Sequence, residues 1–159
     1  MEKEKKPKSI LIVGVGNILL GDEGIGIHVI KKLERLDLPA NVEILDMGVA
    51  AFSLIPHIPG REKIIIVDAV KAGGKAGSIY RFSINEIQKE KDKHLSLHEV
   101  SIGDIWSFVQ PHTSTEVVVI GVEPGQIRWG MELSPSLKEK IPQVVNLILK
   151  EIYPEQNKC

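Results

Sequence analysis

Two acids and an imidazole carry the chemistry this sequence offers. Glu23 stands in "GDEGIG" (21–26), soon after the short β-branched run "SILIVGV" (9–15). Asp68 directly follows the apolar "IIIV" of "KIIIVDAV" (63–70). A carboxylate there gains nothing from burial unless it is paired or ligated. His98, in "SLHEVS" (96–101), precedes a stretch with helical spacing and is the candidate third ligand. Two carboxylates and one imidazole form an open donor set with room for water or substrate. That set suits a borderline divalent ion such as zinc or nickel.

Each residue also has a plain structural reading. Glu23 can answer the dipole of the helix that follows it. Asp68 can cap the next segment, and His98, beside Glu99, can be exposed. His28, inside an amphipathic stretch, and His57, His94 and His112, in polar or Pro-flanked stretches, read as surface histidines.

The loop "GVGNILLGDEGIG" (14–26) invites a nucleotide reading, which its own residues oppose. In G-x-G-x-x-G the third glycine lets helix and strand pack closely, but Leu19 occupies that place. Asp46 ends the second strand where a ribose-binding acid would stand. Asp22 and Glu23, however, put negative charge at the helix start, where pyrophosphate would bind. No Gly-Lys-Ser/Thr occurs, so the phosphate-loop motif is absent.

The elements that must position these residues follow from periodicity. Residues 9–15, 42–45, 63–70 and 116–122 read as strands, the first, third and last as buried parallel ones. Residues 24–36 place Ile25, Val29, Ile30 and Leu33 on one helical face, with Asp22 as the expected N-cap. Residues 50–55 predict a short helix, 71–77 a turn, 78–82 an exposed edge strand and 85–94 a polar surface segment. Ile102, Ile105, Trp106 and Val109 form one face of a helix over 101–109. A last helix over 134–152 carries Leu137, Ile141, Val144, Val145, Ile148 and Ile152, with an expected kink at Pro142. This alternation predicts an open α/β sheet with helices on both faces and its site beyond the carboxyl ends of the strands. Glu23 and Asp68 then meet if strands 1 and 3 are neighbours. The residues leave open whether the fourth strand pairs with the third or the fifth.

Bulk properties bound the rest. The chain has 159 residues, 43% hydrophobic and 26% charged, with a formal net charge of −1. That length predicts one domain over 1–159, with 1–8 a solvated tail and 153–159 frayed. Near-neutral charge gives no footprint for nucleic acid or an anionic membrane. No apolar run reaches the ~18–20 residues of a membrane span, and "MEKEKKPK" leads into no secretory h-region. The single cysteine, Cys159, fits a reducing cytoplasm. Low Cys and Met with abundant Lys, Glu and Ile hint at a thermophile.

Four segments in order, "GVGNILLGDEGIG" (14–26), "IIIVDAV" (64–70), "SLHEVS" (96–101) and "GVEPGQIRWGMELSP" (121–135), resemble the nickel–iron hydrogenase maturation endopeptidases over about residues 9–150. The resemblance implies a phosphorylase/hydrolase-like three-layer α/β/α sandwich. Its five-stranded, mostly parallel sheet has order 2-1-3-5-4, with strand 4 antiparallel. It implies a peptidase that removes the C-terminal extension of the hydrogenase large-subunit precursor after nickel insertion. Glu23, Asp68 and His98 are then both catalytic and metal-binding. Nickel comes from the precursor, other divalent metals can substitute, and a monomer is expected. Asn17, Asp22, Asp46 and Gly48 shape loops or contact substrate. One departure stands out: the family's "D-G-G-T"-like segment is Asp46-Met47-Gly48-Val49 here, which puts the detail of that loop's substrate contact in doubt.

For such a reaction, an ion lowers the pKa of bound water and polarises the scissile carbonyl. Glu23 and Asp68 sharing one proton, as in aspartic proteases, is the competing mechanism. A nickel-checking chaperone that binds without cutting is the competing function. Trp106 and Trp129 are candidates for gripping a partner, though the helix stripe assigns Trp106 to the core.

Overall fold

The computed structural model describes residues 8–89, 106–107 and 109–153, with the backbone alone for 87–89. His98, His94, Ile102, Ile105 and Cys159 lie outside the described residues.

Five strands form one sheet in the order β2-β1-β3-β5-β4. They are β1 (Ile10–Val15), β2 (Val42–Gly48), β3 (Lys63–Ala69), β4 (Ile79–Ser83) and β5 (Glu116–Val122). β1 pairs in parallel with β2 and β3, and β3 pairs in parallel with β5. Ile, Leu and Val fill these central strands because both faces are covered; every residue of β1 is buried. With both edges of β3 taken by β1 and β5, β4 joins the outer edge of β5, antiparallel.

Side chains alternate between two layers. Ile10, Ile12, Ile65, Val67, Val118 and Ile120 pack under α1 (Ile25–Leu33) and the C-terminal helices. Leu11, Val13, Ile64, Ile66, Val117 and Val119 pack against the 3-10 turn Ala51–His57, Ile84 of α2 (Ile84–Lys89) and Trp106. The sheet is therefore sandwiched between two helical layers. No described helix is long and apolar enough to cross a membrane.

The polar segment from 85 begins as helix α2, seated by the fully buried Ile84, with Asn85 and Glu86 on the surface. Two local expectations are corrected. The last helix is two: α3 (Pro135–Lys138) and α4 (Ile141–Ile152). Pro142 sits in the first turn of α4, where its missing N–H costs nothing, so it starts a helix rather than kinking one. Asp22 is no N-cap; it lies inside the 3-10 turn Gly21–Gly24 and its side chain bonds elsewhere.

Candidate active site

Gly26 makes the crossing of α1 over the sheet possible. A Cβ there would lie 2.3 Å from Val67 O and 2.5 Å from Val15 O. Only glycine lets α1 sit so low between β1 and β3. This is the close helix–strand packing that a dinucleotide fingerprint needs, met here by a different glycine and with acids at the helix entrance. Leu19, at the fingerprint's third position, points outward and is 48% exposed.

The acids gather at the carboxyl end of β1 and β3. Asp68 is fully buried, with Oδ1 accepting from Ala69 N at 2.8 Å. Glu23 is half-buried in the turn Gly21–Gly24, which touches β3. Gly16 lies between them. A Cβ at Gly16 would stand 2.1 Å from Glu23 O and 3.7 Å from Asp68 Oδ1. Gly16 also has φ of 142°, open in practice only to glycine. The loop after β1 thus folds the Glu23 main chain back toward the end of β3, where Asp68 stands. Among the described residues no group of three His, Cys, Asp or Glu side chains is gathered to hold an ion. His98, the third expected ligand, is outside those residues.

The surrounding loop residues make specific bonds. Asn17 Oδ1 accepts from Leu19 N at 3.0 Å, a turn that starts the loop. Asp46 Oδ1 accepts from Gly48 N at 2.9 Å, and Gly48 O accepts from Gly16 N at 2.8 Å. The pairing steps from Gly14↔Asp46 to Val15↔Gly48, so Met47 is an extra residue that bends β2 at its end. The changed Asp46-Met47-Gly48-Val49 segment therefore keeps a bonded turn, with Val49 69% exposed just beyond it.

Asp22 accepts four hydrogen bonds. Its Oδ2 accepts from Gly125 N at 2.9 Å, Gln126 N at 2.7 Å and Ser134 Oγ at 2.8 Å. Its Oδ1 accepts from Ser134 N at 2.7 Å. Burial alone would raise its pKa, but bonds from Gln126, Ser134 and Gly125 outweigh that and hold it below the usual carboxylate range. The neighbour of Glu23 is thereby fixed to the loop that follows β5.

Sequence reasoning missed Glu123. It is buried, and its Oε2 accepts from Ala72 N at 2.8 Å and Tyr80 OH at 3.0 Å, pinning the 71–78 turn to β4 and β5. The signal was present: like Asp68, Glu123 is an acid directly behind an apolar strand, "VVVIGV". Trp106 is buried, with Nε1 donating to Asn85 Oδ1 at 3.1 Å, whereas Trp129 is 82% exposed.

Known proteins are similar to this chain in sequence and fold. The hydrogenase maturation protease family model matches residues 27–151. A coenzyme F420 hydrogenase subunit delta of Methanothermobacter thermautotrophicus is 36% identical over 90% of this chain and 94% of its own. The hydrogenase 2 maturation protease of Escherichia coli is 31% identical over 88% of each chain. The solved hydrogenase maturating endopeptidase of E. coli superposes with a TM-score of 0.82 at 29% identity, over 92% of this chain and 93% of that one. With its sheet order and these relatives in agreement, the chain belongs to the hydrogenase maturation protease family.

Proposed function

We propose that this peptidase removes the C-terminal extension of a nickel–iron hydrogenase large-subunit precursor once nickel has been inserted, and that it reads that nickel as its licence to cut. The observation that supports the reading is that the Glu23 main chain and the Asp68 carboxylate both lie close to Gly16 at the sheet's carboxyl end. These two carboxylates, with His98 as the third donor, engage the precursor's nickel. Bound there, nickel polarises the scissile carbonyl and acidifies a water. Asp68, with Oδ1 already tied to Ala69 N, is held at a fixed orientation. Glu23, half-buried at the rim, faces incoming chain. Two carboxylates and one imidazole without a fourth donor hold an ion loosely, so nickel belongs to the substrate, and other divalent ions can stand in for it. The single thiol supports work in the cytoplasm.

The test is incubation of purified precursor, with and without nickel, with wild type and Glu23→Ala. Loss of a C-terminal fragment by mass spectrometry is expected only with nickel and wild type. Cleavage by Glu23→Ala at the wild-type rate, or equal cleavage of nickel-free precursor, refutes the reading.

A further inference from the structure

The rim of the crevice is apolar, unlike the other end of the sheet. Among the described residues, the exposed large hydrophobics are Leu19, Val49, Phe52, Ile127, Trp129 and Met131, with Leu36 alone elsewhere. The six stand on loops leaving the carboxyl ends of β1, β2 and β5. The amino end carries the ion pairs of Arg61 with Glu43 and of Lys63 with Glu116 and Glu151, and the rim carries the exposed pair of Lys138 with Glu132. Single exposed hydrophobics are ordinary; their concentration around one crevice marks an interaction surface.

Trp129 is held out by its backbone. Gly130 N donates to Leu19 O and Gly21 N donates to Gly130 O, both at 2.9 Å, while Asp22 grips residues 125, 126 and 134. A tryptophan on so constrained a loop loses little freedom on binding, as a preorganised anchor should. Phe52 comes from the other layer. The turn Ala51–His57 buries Ala51 and Leu54 in the core and leaves Phe52 58% exposed.

We propose that this rim docks the folded body of the protein substrate, through an apolar face beside the extension to be cut, with Trp129 as the anchor entering a pocket of that face. This rests on the function proposed above. The occupant is the substrate and not a second copy because Leu19 and Glu23 share one loop, and Leu19 bonds to the Trp129 loop. Whatever covers Trp129 stands over the acids, so a second copy there would shut substrate out.

The test is steady-state cleavage of the nickel-loaded large-subunit precursor from the same organism by wild type, Trp129→Ala, Trp129→Phe and Leu36→Ala. Trp129→Ala raises KM about 30-fold with kcat within about twofold, the signature of a lost binding anchor. Trp129→Phe recovers most of the loss, Leu36→Ala matches wild type, and all four melt together. An unchanged KM in Trp129→Ala overturns the docking surface while leaving the proposed function standing. A wild type that leaves the precursor intact overturns both. A wild-type dimer that Trp129→Ala dissociates gives the rim to a second copy and overturns the proposal.

Discussion

Asp22 and Ser134 are bonded twice across 112 residues of chain, main chain to Oδ1 at 2.7 Å and hydroxyl to Oδ2 at 2.8 Å. With Gly125 and Gln126 they make one closed cluster of donors around a buried carboxylate. Removing the acceptor leaves the buried Ser134 donors without a partner, while the exposed Gly125 and Gln126 amides can turn to water. Asp22→Ala is expected to lose about 3 kcal/mol in urea unfolding, and Asp22→Asn, which keeps one acceptor oxygen, about half of that.

The same cluster sets an acid limit. The Asp22 pKa is lowered in the fold, so its contribution is present above the ordinary carboxylate value, about 3.9, and is lost as pH falls below it. The stability gap between wild type and Asp22→Asn therefore narrows between pH 5 and pH 3 in paired denaturation curves (roughly, from that reference value).

His28 makes a second, milder pH dependence. Burial lowers its pKa, and nearby Lys31 and Lys138 lower it further, outweighing the Met131 backbone, which raises it. A lowered histidine pKa means that the unfolded chain takes up a proton first. Stability then falls with pH just below about 6.5, the unperturbed value. His28→Gln should flatten that slope in melts collected from pH 7 to pH 5 (about the range in which histidine titrates).

Gly26 and Gly48 separate space from backbone strain. A methyl at Gly26 would press on two backbone oxygens, Val67 O and Val15 O, which cannot yield. Gly26→Ala is expected to cost about 3 kcal/mol. Gly48 has open space around it but φ of 51°, so Gly48→Ala is expected to cost only about 1 kcal/mol, read from melting temperatures.

Asp68→Asn and Glu23→Gln test the chemistry apart from the fold. Each keeps its shape and most hydrogen bonding, so melting should shift little. Precursor cleavage should fall about 10³-fold in either variant, as for loss of a positioned acid or base.

The sequence was most transparent where burial was complete. β1, β3 and β5 announced themselves because a strand covered on both faces tolerates little but Ile, Leu and Val. β4 was visible as an element but not as a partner, since an edge strand's alternation is the same beside β3 or β5; only the taken edges of β3 decide it. Pro142 misled because proline inside a periodic stripe can kink a helix or open one, and the stripe continues across the break between Lys138 and Ile141. The expected meeting of Glu23 with Asp68 hung on strands 1 and 3 being neighbours, which no local pattern states and the β1–β3 pairing supplies. Asp22 was read from its neighbours as a cap, whereas its partners lie more than a hundred residues downstream, where no local pattern reaches.

That long-range tie governs when a nascent chain becomes competent. The ribosome must deliver Gly125, Gln126 and Ser134 before the Asp22 carboxylate finds its donors, and β3 has an open edge until residues 116–122 emerge. A half-made polypeptide therefore holds Glu23 on an unanchored loop. The loop that carries Glu23 is thus tied down only after Ser134 has emerged from the ribosome.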